Sequence, residues 1–208
     1  REWESLAAID REIHKIERDL AEKIGPLQIL FAGKAHPNDN IGFTYLNDIM
    51  RAVDQAGDSD GLLRFIMLEN YDTYIAKTLV AGVDIWLNNP LPPYEASGTS
   101  GMKAIANGVV QLSTLDGWVI EAADQGIGRF FGHEDDGKSF NEGLVLRFEE
   151  DSRALYTSLE EMMRLYYGGR PAEPTAAWVD MMIQCVVQAG RFSTDRMVKE
   201  YKAHVWQR

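Results

Sequence analysis

The sequence predicts an α/β fold: a parallel sheet with helices on both faces, followed by C-terminal helices. Three observations carry this. Short apolar runs recur at Leu27–Ala32, Leu62–Leu68, Val83–Asn88 and Val109–Ser113, each of strand length. Stretches with helical character, 41–56, 72–81 and 101–107, lie between them, and strands alternating with helices at this spacing argue for βαβ units. The chain has 208 residues, 45% hydrophobic and 25% charged, which suits one substantial core or a domain with a helical appendage. The pattern divides the chain into a parallel-sheet domain over 1–150 and a helical segment over 151–208 packed on it.

In chain order, Trp3, Leu6, Ile9, Ile13, Ile16, Leu20 and Ile24 recur at steps of three and four, so 2–24 reads as an amphipathic helix, which Gly25-Pro26 ends. The strand 27–32 opens into a loop at Gly33. Asn38-Asp39-Asn40 supplies a cap for the helix over 41–56, and Asp58-Ser59-Asp60-Gly61 is a turn. The strand 62–68 precedes the helix 72–81. A strand over 83–88 leads through the Pro-rich turn Asn89-Pro90-Leu91-Pro92-Pro93 to a helix over 101–107, closed by Asn107-Gly108. Beyond the strand 109–113, Leu115-Asp116-Gly117-Trp118 is a turn signal. Residues 123–141, rich in Gly and Asp, read as loop, and 143–147 reads as a short strand. Helices are expected over 151–167, 173–189 and 193–206, the last capped by Ser193. Tyr156, Leu159, Met162, Met163, Tyr166 and Tyr167 have the spacing of a buried helix face, which favours core over an aromatic cofactor box.

Charge and cysteine content narrow the function classes. A net charge of −11 argues against nucleic acid or an anionic membrane as main partner. The single cysteine, Cys185, lies in an apolar helical run and is expected buried. No signal peptide and no apolar run of spanning length stands out, and a cytoplasmic location fits. None of the four histidines has metal-ligand spacing, and His36 before Pro37 reads as a loop residue.

The chemistry concentrates in Glu95-Ala96-Ser97-Gly98-Thr99-Ser100-Gly101-Met102-Lys103. A glycine-rich turn between strand and helix aims backbone N–H groups at one spot and favours an anion such as phosphate. Four readings stand open on spacing alone. A P-loop needs Gly-Lys followed by Ser or Thr, whereas Met102 separates Gly101 from Lys103 and Ala104 comes next. Ser100 and Lys103 have the Ser-x-x-Lys spacing of penicillin-recognising enzymes, but Ser-Asp-Asn and Lys-Thr-Gly are missing from the chain. The third reading is a lysine that holds pyridoxal phosphate covalently, with the cofactor's phosphate on the Gly98–Ser100 amides. The fourth is an ordinary Gly/Ser turn. Lys103 is expected in the first helical turn and partly buried, a placement that favours the neutral amine the third reading requires. Gly98 and Gly101 are expected to leave room for the phosphate. Glu95 either solvates the turn or, beside a phosphate nest, accepts from a hydroxyl-bearing ligand; a sugar suits the second role.

These nine residues resemble the cofactor-lysine signature of the α-glucan (glycogen/starch/maltodextrin) phosphorylases in its bacterial Thr-Ser-Gly-Met-Lys form. Leu68-Glu69-Asn70-Tyr71 resembles a second block of that family, at the family's spacing of 32 residues from Tyr71 to Lys103, and Gly33-Lys34-Ala35-His36-Pro37 a third. The resemblance runs from about residue 27 to the C-terminus. It implies the C-terminal half of a two-domain GT-B architecture and reversible phosphorolysis of α-1,4-glucan by inorganic phosphate to α-glucose 1-phosphate, with pyridoxal 5'-phosphate as cofactor. It implies Lys103 as the cofactor lysine, Thr99, Ser100 and Gly98 at the cofactor phosphate, Tyr71 beside the cofactor, and Glu95, Ser97 and Gly98 at glucose hydroxyls. Lys103 and Glu95 are then the catalytic candidates. Asp72 stands where animal members carry a basic residue. Lys34, Asn70 and the 95–103 turn all lie just past strand ends, where ligands of parallel sheets bind.

The family's basic block, two lysines and an arginine on the first strand and helix of this domain, has no counterpart before residue 27. The chain is therefore expected to be a fragment, or a truncated relative, that starts after this block, lacks the N-terminal sugar-binding domain and is inactive alone. A homodimer is one state open to the parent. Two other classes remain in view: a non-catalytic Rossmann-like module, and a nucleotide-sugar glycosyltransferase related to glycogen synthases, which would not need Lys103.

Overall fold

The computed structural model describes residues 26–56, 58–59, 63–92, 94–132, 144–168 and 174–206. They form an α/β structure of parallel strands flanked by helices, with helices at the C-terminal end. They fall into two compact units divided between Ala76 and Lys77, and the strands form two three-stranded sheets. The helix expected over 2–24 lies outside the described residues, as do Asp60 and Gly61 of the expected turn and residues 133–141 of the expected loop.

In the first unit β1 (Leu27–Ala32) pairs in parallel with β3 (Leu63–Leu68), in register from Leu27 opposite Leu63 to Ala32 opposite Leu68. Part of the expected turn is instead a two-residue strand, β2 (Asp58–Ser59), antiparallel to β3. The crossover helix α1 (Asn40–Ala56) starts where the polar triplet ends. Asp39 Oδ1 accepts from the Gly42 N–H at 2.8 Å, satisfying one of the helix's free amide donors. The next helix, α2 (Thr73–Gly82), begins the same way, with Asp72 Oδ1 accepting from the Ile75 N–H at 2.8 Å.

The second sheet has β5 (Val110–Thr114) at its centre, parallel to β4 (Ile85–Asn88) on one side and to β6 (Gly128–Phe131) on the other. Strand β6 falls where a loop was expected. Its glycine content hid it, yet Gly128 is the residue the pairing requires, because a β-carbon there would collide with the Gln111 backbone. The expected strand over 143–147 is also corrected. Leu144–Arg147 open the helix α4 (Leu144–Tyr167), since an apolar run this short cannot separate helix from strand without its continuation. The last two helices are α5 (Ala176–Ala189) and α6 (Thr194–His204). Thr175 and Ser193 cap them by accepting from the N–H groups of Trp178 and Arg196, so the expected Ser193 cap is present.

Two apolar clusters close this sheet. Val110 and Leu112 of β5 pack with Phe131, with Met162 of α4 and with Trp178 and Met181 of α5. Leu159 and Tyr166 join that cluster, as their periodicity predicts. Burial, with the Asp84 carboxylate adding to it, raises the Tyr166 and Tyr167 hydroxyls above their ordinary pKa. The opposite face of β5 presents Gln111, buried and bonded through Nε2 to the Val109 carbonyl at 2.9 Å. The short helix α3 (Thr99–Ile105) meets that face, because successive residues of a strand point to opposite sides. A second cluster joins Ile105, Trp118, Val119, Ala122, Ile127 and Cys185. Cys185 is fully buried, as expected, and loss of solvation pushes its thiol up to about 12. Among the described residues no helix is long and apolar enough to cross a membrane.

Candidate active-site turn

The segment from Glu95 to Lys103 leaves β4 through the Pro-rich turn and enters α3 within the second unit. Thr114 Oγ1 donates to the Pro90 carbonyl at 2.9 Å and ties the turn to the end of β5. Gly98 adopts a left-handed conformation, φ 83°, and α3 begins directly after it at Thr99. A residue with a side chain rarely reaches that conformation, so the entry into the helix depends on this glycine.

Helix α3 starts two residues earlier than its sequence pattern indicates, and two expectations for Lys103 change with it. Lys103 lies in the last turn of the seven-residue helix, and it is exposed. Neither the place under the positive end of the dipole nor the partial burial is present. Thr99 and Ser100 occupy the first turn instead. No side chain caps the helix, so by geometry the first amide N–H groups have no acceptor within it.

The role expected for the glycines is also different. A β-carbon on Gly101 would stand 2.9 Å from both Gln111 Oε1 and the Trp118 ring, and one on Gly98 would stand 3.2 Å from Trp118. Both positions therefore let α3 and its entry turn lie directly on β5 and Trp118. The room is filled by protein rather than kept for a ligand.

The segment Asp116-Gly117-Trp118, legible in sequence only as a turn, fixes the shape of 95–98. Asp116 is buried. One of its carboxylate oxygens accepts from the Glu95 N–H at 3.0 Å and the other from the Gly117 N–H at 2.8 Å. The Trp118 N–H donates to the Ser97 carbonyl at 2.9 Å. Gly117 has φ 59°, and a β-carbon there would stand 2.6 Å from the Ser97 carbonyl oxygen. Trp118 in turn meets Phe192 edge-on at 4.8 Å. One signal for these residues was available in the sequence: an Asp-Gly pair just past the C-terminal end of a parallel strand.

The described geometry thus brings Glu95, Ser97, Gly98, Thr99, Ser100 and Lys103 onto one strand–turn–helix segment, with Glu95, Ser97, Gly98 and Ser100 half-buried and Thr99 exposed. Tyr71 belongs to the first unit, half-buried, behind Asn70 with φ 55°, two residues past the end of β3. Lys34, two residues past β1, is exposed. His36 is a loop residue, as expected; its Nδ1 accepts from the Asn38 N–H at 3.2 Å and its carbonyl from the Asp39 N–H at 2.8 Å.

The sequence model of the family described as carbohydrate phosphorylase matches residues 5–141. This chain belongs to the carbohydrate phosphorylase family. Among its relatives, a glycogen phosphorylase of Aquifex aeolicus is 39% identical over 91% of this chain and 26% of its own length. A maltodextrin phosphorylase of Thermococcus litoralis is 38% identical over 91% of this chain and 22% of its own length. A glycogen phosphorylase of Mycobacterium tuberculosis is 32% identical over 98% of this chain and 23% of its own length. This phosphorylase-family chain thus spans about a quarter of the length of the curated relatives it matches.

Proposed function

We propose that the chain is the C-terminal part of an α-glucan phosphorylase with a GT-B architecture. The parent transfers a terminal α-1,4-linked glucose from a glucan to inorganic phosphate and releases α-glucose 1-phosphate. The observation that supports this most is the Glu95–Lys103 signature, set in a strand–turn–helix segment of a chain that belongs to the carbohydrate phosphorylase family. In this reading the missing sugar domain and basic block belong to the rest of the parent, and the 208-residue chain alone is inactive.

The residues present fit pyridoxal phosphate by the chemistry of their donors. Thr99 and Ser100 offer main-chain N–H groups without an intrahelical acceptor, along with two hydroxyls, which suits a phosphate. Because α3 is so short, individual hydrogen bonds rather than its dipole carry that binding. Lys103, one turn further along the same helix, offers the amine that holds the cofactor's aldehyde carbon. When bound, the cofactor would supply a phosphate group able to relay a proton. Glu95, Ser97 and Gly98 accept from or donate to glucose hydroxyls and hold the sugar in register. A carboxylate accepting hydroxyl protons makes charge-assisted bonds, worth roughly 1.5–3 kcal/mol each.

The test is borohydride reduction of the holo parent enzyme followed by peptide mass mapping. The expected pyridoxyl adduct is on Lys103. An adduct on another lysine, or covalent retention of the cofactor by a Lys103→Ala parent, overturns the assignment.

A further inference from the structure

We propose that Asp116 is the positioning residue of the proposed sugar-binding turn, acting through the backbone of Glu95. This rests on the reading of Glu95 as a sugar contact. Asp116 lies outside the nine-residue signature. It is nevertheless buried, only 7% exposed, and both of its carboxylate oxygens are used. One takes the Glu95 N–H and the other the Gly117 N–H. A buried carboxylate costs free energy unless hydrogen bonds satisfy it, and here one of the two bonds runs across 21 residues of sequence to the start of the turn.

The clamp has two jaws. Asp116 holds the Glu95 amide, and the Trp118 N–H holds the Ser97 carbonyl at 2.9 Å. Between them, Gly117 brings its backbone so close to Ser97 that a β-carbon would not fit. The backbone before Glu95 and after Ser97 is thereby fixed, and with it the origin from which the Glu95 side chain projects. A displacement of about 1 Å in a substrate-positioning group can cost on the order of 100-fold in rate. Asp116 is therefore a lever on the reaction rather than only a stabiliser of the turn.

The experiment is a double-mutant cycle in the intact parent enzyme, with Asp116→Asn, Glu95→Gln and both together. Asn keeps one acceptor oxygen and turns an NH2 donor towards the other amide. Asp116→Asn alone is expected to lower kcat/KM on the order of 100-fold. In the Glu95→Gln background the further loss is expected to be under about threefold, because both changes disable one unit. The fall in Tm is expected to be the same in both backgrounds, which separates positioning from stability. In the apoenzyme, hydrogen exchange at the Glu95 amide is expected to speed up at least about tenfold in Asp116→Asn, a readout independent of activity. Asp116→Glu, which keeps charge and both oxygens but displaces them by one methylene, is the second variant and is expected to show the same non-additivity. Losses that multiply in full, or an unchanged Glu95 amide, overturn the positioning role alone. If Glu95→Gln by itself leaves kcat/KM unchanged, the sugar role of Glu95 fails and the positioning role fails with it.

Discussion

The two sheets among the described residues have three strands each and different interiors. Every residue of β5 is buried, whereas β1 has none fully buried and β3 has only Leu63. Helix α1 buries no residue fully and exposes Ile41, Phe43, Tyr45 and Met50. By contrast α3 and α5 bury Ala104, Ile105, Trp178, Met181 and Cys185. The second unit thus builds its own core on both faces of a sheet, and it carries the proposed active-site turn on that core. A turn held to about a hydrogen-bond length needs a rigid support beneath it, and closely packed interiors provide one.

The largest expected effect concerns whether this chain, with its well-packed second unit, is sufficient for activity. The purified 208-residue chain, given maltodextrin and phosphate, is expected to yield no glucose 1-phosphate above background. Each positioned donor missing from a transition state is worth about 10²- to 10³-fold, and the proposed parent contributes several from outside this chain. Detecting the product sinks the idea that the remainder is needed.

Next in size is a stability contrast. Trp178→Ala removes a ring that is 1% exposed and is expected to cost about 3–5 kcal/mol. Ile41→Ala in α1, at 68% exposure, is expected to change stability by under about 0.5 kcal/mol. Urea unfolding monitored by tryptophan fluorescence and by circular dichroism measures both. Similar costs at the two sites would show that the units do not differ as their burial indicates.

A smaller effect separates two glycines. Gly101→Ala must displace Gln111 or Trp118 and is expected to destabilise by about 1–3 kcal/mol. Gly33→Ala, in the first unit, meets nothing within 4 Å and is expected to be neutral or to stabilise by up to about 1 kcal/mol. Thermal midpoints of the two variants decide this, and a neutral Gly101→Ala would show that α3 does not lie tightly on β5.

The smallest expected effect is alkaline. Burial raises the Cys185 thiol to about 12, so an unfolded chain loses that proton near its ordinary pKa of about 8.5 while the folded chain keeps it. Stability from this group is full below about pH 8.5 and declines as pH rises towards 12, with a limiting slope of about 1.4 kcal/mol per pH unit. Cys185→Ala is expected to flatten the decline in the urea midpoint between about pH 8 and pH 10. An equally steep decline in that variant would assign it to other groups.

The local code reads well where a few neighbouring residues decide the outcome. Asp39 and Ser193 act as caps because a short acceptor side chain at a helix start satisfies amides within three residues. The spacing of Leu159, Met162 and Tyr166 marks a buried face before any partner is known. The signature around Lys103 is likewise visible in the chain itself, because its residue types and spacing are contiguous.

What only the tertiary structure decides is non-local. Residues 128–131 become a strand because Gly128 lets its backbone reach Gln111, and nothing within that run reveals the partner. Leu144–Arg147 become helix because the chain continues as helix to Tyr167. Gly98 and Gly101 are needed because Trp118 and Gln111 stand against them, so their purpose lies in residues further along the sequence. Asp116 joins the proposed active-site turn through one hydrogen bond from the Glu95 N–H. Sequence patterning therefore determined most of the kinds of element, several of their caps and the stretch that carries the family signature. The fold determined which face of that stretch is packed, where Lys103 lies on its helix and which carboxylate holds the turn, because those depend on approach distances between segments that the chain order keeps apart.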